Sequence, residues 1–173
     1  AMASTGRDIN FDLKRIEGYR NFCNKIWNAS RFILLTCKDY QYNEILNTKD
    51  LTIFDKWILY KLDGMVADFK KYTANYRFDL MANSIYDFVW NEYCDWYLEI
   101  AKNNINETTQ NNLIFSIVRI VKICHPIVPF ITEDIWKEFY DKKFVEEPML
   151  ISSSFPSQIR ISKEYDVESR VEN

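Results

Sequence analysis

Asp12-Leu13-Lys14-Arg15-Ile16-Glu17-Gly18-Tyr19-Arg20-Asn21-Phe22-Cys23-Asn24-Lys25-Ile26-Trp27-Asn28-Ala29-Ser30-Arg31-Phe32-Ile33-Leu34-Leu35-Thr36 repeats apolar residues at helical spacing and contains no proline. It predicts one long helix from about Asp12 to Thr36, with Asp12 placed to cap the first turn. At 100° per residue, Ile16, Tyr19, Cys23, Ile26, Trp27, Ser30 and Leu34 fall within an arc of roughly 100°, which predicts the buried face. Opposite them lie Lys14, Gly18, Asn21, Lys25, Asn28 and Phe32, with Arg31 at the margin. A solvated helix face usually alternates acids and lysines, whereas this one has no acid. It reads as a contact surface. Lysines attract phosphate, amides hydrogen-bond base edges, and an outward phenylalanine offers a plane on which an unpaired base stacks. Projection alone leaves open the alternative that the stripe packs against protein.

Further along the chain, Thr48 and Asp50 look like the start of a second helix reaching about Tyr72. Its inner stripe would be Leu51, Phe54, Ile58, Leu62, Met65 and Phe69. A third helix spans about Phe78 to Lys102 and is crowded with Tyr86, Phe88, Trp90, Tyr93, Trp96 and Tyr97. Asn106 and Glu107 open a fourth, with Leu113, Ile114, Ile117, Val118, Val121 and Cys124 inward, and Pro126 stops it. Thr132 with Glu133 and Asp134 reads as the cap of a short fifth helix carrying Ile135, Trp136, Phe139 and Tyr140. The expected fold is therefore all-α: an up-and-down bundle of four long helices plus a short fifth over residues 1–145. Residues 146–173, with Pro148, Ser152-Ser153-Ser154 and Pro156, are expected to form a covering strand or a linker toward a further region.

Composition agrees with a helical domain. The 173 residues are 47% hydrophobic and 16% aromatic, enough for one core, and three glycines and four prolines are too few for turn-dense β folds or a glycine-rich nucleotide loop. No apolar run reaches membrane-spanning length and no signal peptide is visible, so a soluble cytoplasmic protein is expected. Cys23, Cys37, Cys94 and Cys124 are isolated and read as reduced core thiols. The one histidine, His125, reads as a helix-end residue bonding a nearby carbonyl, which leaves little for histidine-based catalysis or metal binding. Asp87, Glu92, Asp95 and Glu99 read as solvated or capping acids, because a metal site between helices usually adds a histidine. Trp57, Trp90, Trp96 and Trp136 read most simply as core, with a groove edge as the alternative for Trp96. No catalytic or metal site is expected.

The net charge of −3 hides a gradient. Residues 1–38 hold Arg7, Lys14, Arg15, Arg20, Lys25, Arg31 and Lys38 against three acids, while the remainder is acidic. Potentials of exposed charges decay within about 8–10 Å at physiological salt, so a basic helix on an acidic body still attracts phosphates.

Gly6-Arg7-Asp8-Ile9-Asn10-Phe11-Asp12-Leu13-Lys14-Arg15, Glu17-Gly18-Tyr19-Arg20-Asn21-Phe22-Cys23-Asn24-Lys25 and Trp27-Asn28-Ala29-Ser30-Arg31-Phe32 together resemble the valyl-tRNA synthetase family in the region after its catalytic domain. Trp90-Asn91-Glu92-Tyr93-Cys94-Asp95-Trp96-Tyr97-Leu98-Glu99 and His125-Pro126-Ile127-Val128-Pro129-Phe130-Ile131-Thr132-Glu133 come after them in the same order. The Pro-Phe-Ile-Thr-Glu run is shared with the isoleucyl, leucyl and methionyl enzymes; the first block is more like the valyl member. The resemblance covers about residues 1–160 and implies an anticodon-binding helical bundle. It further implies recognition of the valine tRNA anticodon stem-loop, chiefly its second and third bases, by the exposed face of the first helix. Lys14, Lys25, Arg31, Phe32 and Leu98 match family contact positions; Asn28 is added by projection alone. The resemblance also implies that valine activation with ATP and magnesium belongs to a catalytic domain of the same parent chain. The family's His-Ile-Gly-His-like and Lys-Met-Ser-Lys-Ser-like signatures are absent here, so the chain reads as an inactive, monomeric fragment of a valine-tRNA ligase. The alternatives are the anticodon module of an isoleucyl or leucyl enzyme, and a non-enzymatic helical protein-interaction domain.

Overall fold

In the computed structural model, residues 13–46 and 48–159 are described, with side chains from residue 16 onward. The first helix, α1, runs Leu13–Thr36, and the expected cap Asp12 lies outside the described residues. The second, α2, runs Ile53–Ala74 and starts four residues later than Thr48 suggested. A threonine cap is strongest when an acid three residues on reaches back to it. Thr48 has Leu51 there; Thr52 has Asp55. Accordingly the Asp55 amide donates to Thr52 Oγ1 at 3.1 Å and the Thr52 amide donates to Asp55 Oδ2 at 3.0 Å. This register buries Asp55, Ile58, Leu59, Leu62, Met65 and Val66, and turns Phe54, expected inside, toward solvent.

The third predicted helix is continuous over the expected range but not uniform. It divides into α3 (Phe78–Asp87), a π-helical stretch (Phe88–Tyr97) and α4 (Leu98–Lys102). The Leu98 amide donates to the Tyr93 carbonyl five residues back, the mark of the wider π turn. In α5 (Glu107–Cys124) Asn106 is the cap, its Oδ1 accepting from the Thr109 amide at 2.9 Å. Thirteen of the eighteen α5 residues are buried, including all six of the inward positions expected, so this helix is the axis around which the others pack.

The fifth helix, α6 (Pro129–Asp141), begins three residues before its expected cap because Pro129, lacking an N–H, suits the first turn. Thr132 is therefore interior and fully buried, its hydroxyl donating to the Val128 and Pro129 carbonyls at 3.0 Å. Ile135, Trp136 and Phe139 are buried as expected; Tyr140 is exposed. Among the described residues there is no strand. The segment after α6 makes a single 3-10 turn at Leu150–Ser152 and continues extended to residue 159. Trp136 Nε1 donates to the Glu147 carbonyl at 2.8 Å, the Phe155 ring lies 4.6 Å from Phe69, and the Ile159 amide donates to Asp63 Oδ1 at 2.6 Å. The segment thus covers α6 and α2.

Helices α2, π and α5 meet at a buried polar knot. Tyr97 Oη donates to Asp55 Oδ1 at 2.6 Å, and Asn112 Nδ2 lies 3.1 Å from the same oxygen and 2.7 Å from Tyr97 Oη. One turn away, Tyr93 Oη sits 3.0 Å from Ser116 Oγ. Burial raises both phenol pKa values, and the adjacent Asp55 carboxylate raises that of Tyr97 further. Removing Asp55 orphans a buried phenol and an amide as well as the helix start. Asp55→Ala is expected to lower the unfolding free energy by about 3 kcal/mol in a urea melt, against about 1 kcal/mol for Thr52→Ala, which removes mainly the cap.

At the start of α3, Arg77 forks onto both Asp79 oxygens at 2.9 and 2.8 Å, and its hydrogen bonds hold the Asp79 carboxyl down at about 2. A carboxyl depressed in the folded state stabilises above its ordinary range near 4, and that stability fades as pH falls from there toward 2. In Arg77→Ala, NMR titration of the Asp79 carboxyl carbon is expected to show its midpoint moving up toward the ordinary value.

Candidate nucleic-acid interface

Helix α1 packs against the π stretch, α5 and α6. Its buried residues are Phe22, Ile26, Ala29, Ser30 and Ile33, followed by Cys37 just beyond its end. This arc is rotated by about 60° from the one projected from sequence. Ile16 and Tyr19, expected inside, are exposed, and Cys23, Trp27 and Leu34 are only partly buried. The reason is aromatic: the Phe22 ring stacks on Tyr86 at 5.2 Å, and Tyr86 stacks on Trp90 at 5.4 Å. That ladder between α1 and the third helical rod pulls the Phe22 side inward.

The rotation sorts the predicted site residues. Asn21, Asn28 and Arg31 are exposed, joined by Asn24, which sequence projection did not single out. Arg31 also borders a cleft of about 170 Å³ between α1 and α6, lined by Trp27, Ser30, Leu34, Ile135 and Glu138. Gly18 has open space where a Cβ would stand. Lys25 and Phe32 are at the edge of the stripe, half-buried against the third rod. Lys25 Nζ forms an ion pair with Asp95 Oδ1 and lies 4.8 Å from the Trp90 ring centroid. Phe32 packs on the core on one side, and Lys102 Nζ stands 5.3 Å from its ring centroid; Lys102 itself pairs with Glu99 at 2.6 Å. Phe32 is thus a partly open ring bordered by a cation, not the freely projecting plane expected. The side chain of Lys14 lies outside those described.

Leu98, matched by resemblance to a family contact position, is 5% exposed and belongs to the core. Trp96, read as core with a groove edge as the alternative, is 63% exposed. Trp96 lies inside the π stretch, where more residues per turn means each residue advances less, so its side chain stands off its α-helical position; the expectation for Leu98 rests on family resemblance and not on periodicity. Trp136 is fully buried, and Trp57 and Trp90 partly so.

The four acids on the third rod do not converge. Glu92 pairs with Lys61 of α2 at 3.4 Å, Asp95 with Lys25 and Glu99 with Lys102, while Asp87 is exposed. Among the described residues no group of three or more potential metal ligands gathers. His125 does not bond a carbonyl as expected. Its Nδ1 lies 2.9 Å from the Thr132 hydroxyl, made available because α6 starts early and buries Thr132. Asp95 and Lys102 are the neighbours of the stripe that sequence reasoning missed; only their placement across from α1 brings them to it.

A family model described as the anticodon-binding domain of tRNA ligase matches residues 55–172. The chain belongs to this anticodon-binding domain family. Within curated proteins, a valine-tRNA ligase of Buchnera aphidicola is 42% identical over 163 residues, 90% of this chain and 17% of its own length. Similar likeness is found in the valine-tRNA ligases of Francisella tularensis (46% over 147 residues, 80% and 16%) and Psychrobacter arcticus (43% over 151 residues, 79% and 15%). The chain spans about one sixth of the length of these relatives. An alignment covering 90% of the chain necessarily reaches ahead of residue 55, into the part that contains α1.

The thiols of this anticodon-binding domain are free and take no part in the stripe. Burial pushes Cys37 and Cys94 up to about 12 and raises Cys124 as well; Cys23 is raised too, but it is only partly buried and so stays within reach of solvent. Iodoacetamide at pH 8 is expected to label Cys23 first in the native protein, with the other three reacting only after unfolding, as read by mass spectrometry.

Proposed function

We propose that this chain is the tRNA anticodon recognition module of a valine-tRNA ligase, binding the valine tRNA anticodon stem-loop through the exposed face of α1. The observation that carries this reading is the membership in the anticodon-binding family joined to the make-up of that face. Asn21, Asn24, Asn28 and Arg31 are exposed there, edged by Lys25 and Phe32. Amides and a guanidinium suit base edges and phosphate, and a half-open ring suits stacking. The likeness to valine-tRNA ligases favours valine tRNA over the substrates of related synthetases. In this reading the module positions tRNA for ATP-dependent aminoacylation, with magnesium, in a catalytic domain elsewhere in the longer protein. On the same reading the RNA-binding unit is residues 1–145; of the segment 146–173, the described part to residue 159 covers the bundle. The module acts as part of a monomeric cytoplasmic enzyme; four free thiols and the lack of a membrane-spanning helix among the described residues fit that setting.

The test is titration of the chain with a valine-type anticodon stem-loop and with the same loop changed at its middle anticodon base. The stripe and its margins carry few cations, so log affinity against log salt should have a slope of only about −2 to −3. Arg31→Ala is expected to flatten that slope by about 0.7. Phe32→Ala is expected to weaken the matched loop about tenfold and to erase discrimination, in line with the usual worth of base stacking. Equal weak binding of both loops, indifferent to either substitution, would show that the stripe is a protein-facing surface instead.

A further inference from the structure

Both lysines bordering the stripe are already engaged by acids of the third rod: Lys25 by Asp95 and Lys102 by Glu99. A lysine on a flexible stem is ordinarily an indiscriminate phosphate binder. Lys25 is not in that condition. Its ammonium is held between the Asp95 carboxylate and the face of Trp90, whose ring is itself fixed by the stack through Tyr86 to Phe22. The Lys25 and Asp95 side chains remain 30% and 45% exposed, so the pair stands at the surface rather than in the core.

Resting on the anticodon reading, we propose that Asp95 is a positioning and specificity-determining residue of this interface. It orients the Lys25 ammonium toward a base acceptor and cancels its pull on phosphate. An ammonium has three donors; with one committed to Asp95, the other two point in directions fixed by the clamp. The pair is nearly neutral, so a polyanionic backbone gains little from it, whereas an uncharged base edge meets an oriented donor with a carboxylate acceptor beside it. Discrimination rises because general affinity is held down, the logic by which an interface gains specificity from a repulsive element. The acidic Glu99 beside Lys102 tempers the second lysine in the same way, on the far side of Phe32.

The experiment compares the wild-type chain with Asp95→Asn, Asp95→Glu, Lys25→Met and the Lys25→Met/Asp95→Asn pair. Each binds the matched stem-loop, the loop with the altered middle base and an unrelated single-stranded RNA, across a salt series; circular dichroism confirms folding. Asp95→Asn is expected to tighten the mismatched loop and the unrelated RNA about three- to tenfold at low salt, to steepen the salt slope by about 0.7, and to shrink discrimination. Asp95→Glu, which keeps the charge, should retain the wild-type slope. In the Lys25→Met background the Asp95→Asn effect on slope should vanish, a coupling that a merely structural role for Asp95 would not produce. A wild-type chain that fails to distinguish the two loops would overturn the anticodon reading and this role with it. A discriminating wild type whose slope and selectivity are unmoved by Asp95→Asn, or moved equally by Asp95→Glu, would overturn the role of Asp95 alone.

Discussion

A single buried carboxylate sets the geometry of this bundle. Asp55 is 1% exposed, yet it does three things at once: it closes the capping box that starts α2, accepts the Tyr97 hydroxyl from the π stretch and meets the Asn112 amide of α5. A carboxylate out of water is stable only when its lone pairs are filled. Those partners come from three different elements, so their relative rotation and height are fixed together. Hydrophobic packing alone would tolerate sliding of α5, whose buried surface is Leu, Ile, Val and Phe nearly all round. The polar knot removes that freedom. It is not fully satisfied: Asn112 Oδ1 is buried with no partner among the described residues, a local cost accepted within a joint that specifies the register.

The knot is anchored in the π stretch. Tyr93 and Tyr97 are four residues apart and both bury their hydroxyls against α5, one on Ser116 and one on Asn112. Their rings lie 5.6 Å apart. The wider turn that accommodates them is continuous with ordinary helix on either side, so it rotates α4 relative to α3 without breaking the rod. Its consequences reach the candidate interface, because Asp95 is presented to Lys25 from this stretch and Glu99 and Lys102 come immediately after it.

What could be read from sequence divides along these lines. Periodicity located every helical rod, and the caps at Asn106 and the stop near Pro126 were legible because their chemistry is local. The start of α2 was misread at Thr48, although the deciding signal, an acid three residues after Thr52, is present in the sequence. The π stretch carries no local signature, and the partners of its two buried phenols, Asp55, Asn112 and Ser116, all lie far from it in sequence. Trp96, inside the stretch, is exposed, and Leu98, matched to a contact position by resemblance alone, lies in the core just after it. In α1 the arc was misplaced because Ile16, Tyr19, Phe22, Ile26, Trp27 and Ile33 offer apolar residues on more than one side, and only the Tyr86–Trp90 stack selects among them.

The candidate interface was legible as a residue inventory and not as an electrostatic arrangement. Asn28 and Arg31 are where projection put them, and Lys25 and Phe32 lie on the right edge of the helix. The sequence could not show that the edge is shared with a second, acidic rod, since Lys25 and Asp95 are seventy residues apart. That sharing reconciles two facts that otherwise pull against each other: a first helix rich in basic groups, and a chain that is acidic overall. Were the lysines unopposed, α1 would attract any nucleic acid over the Debye length of about 8 Å. Opposed by Asp95, Lys25 pulls chiefly at contact distance, where the direction of a donor matters as much as its charge. A surface built in this way gives up strength of binding for dependence on what is bound.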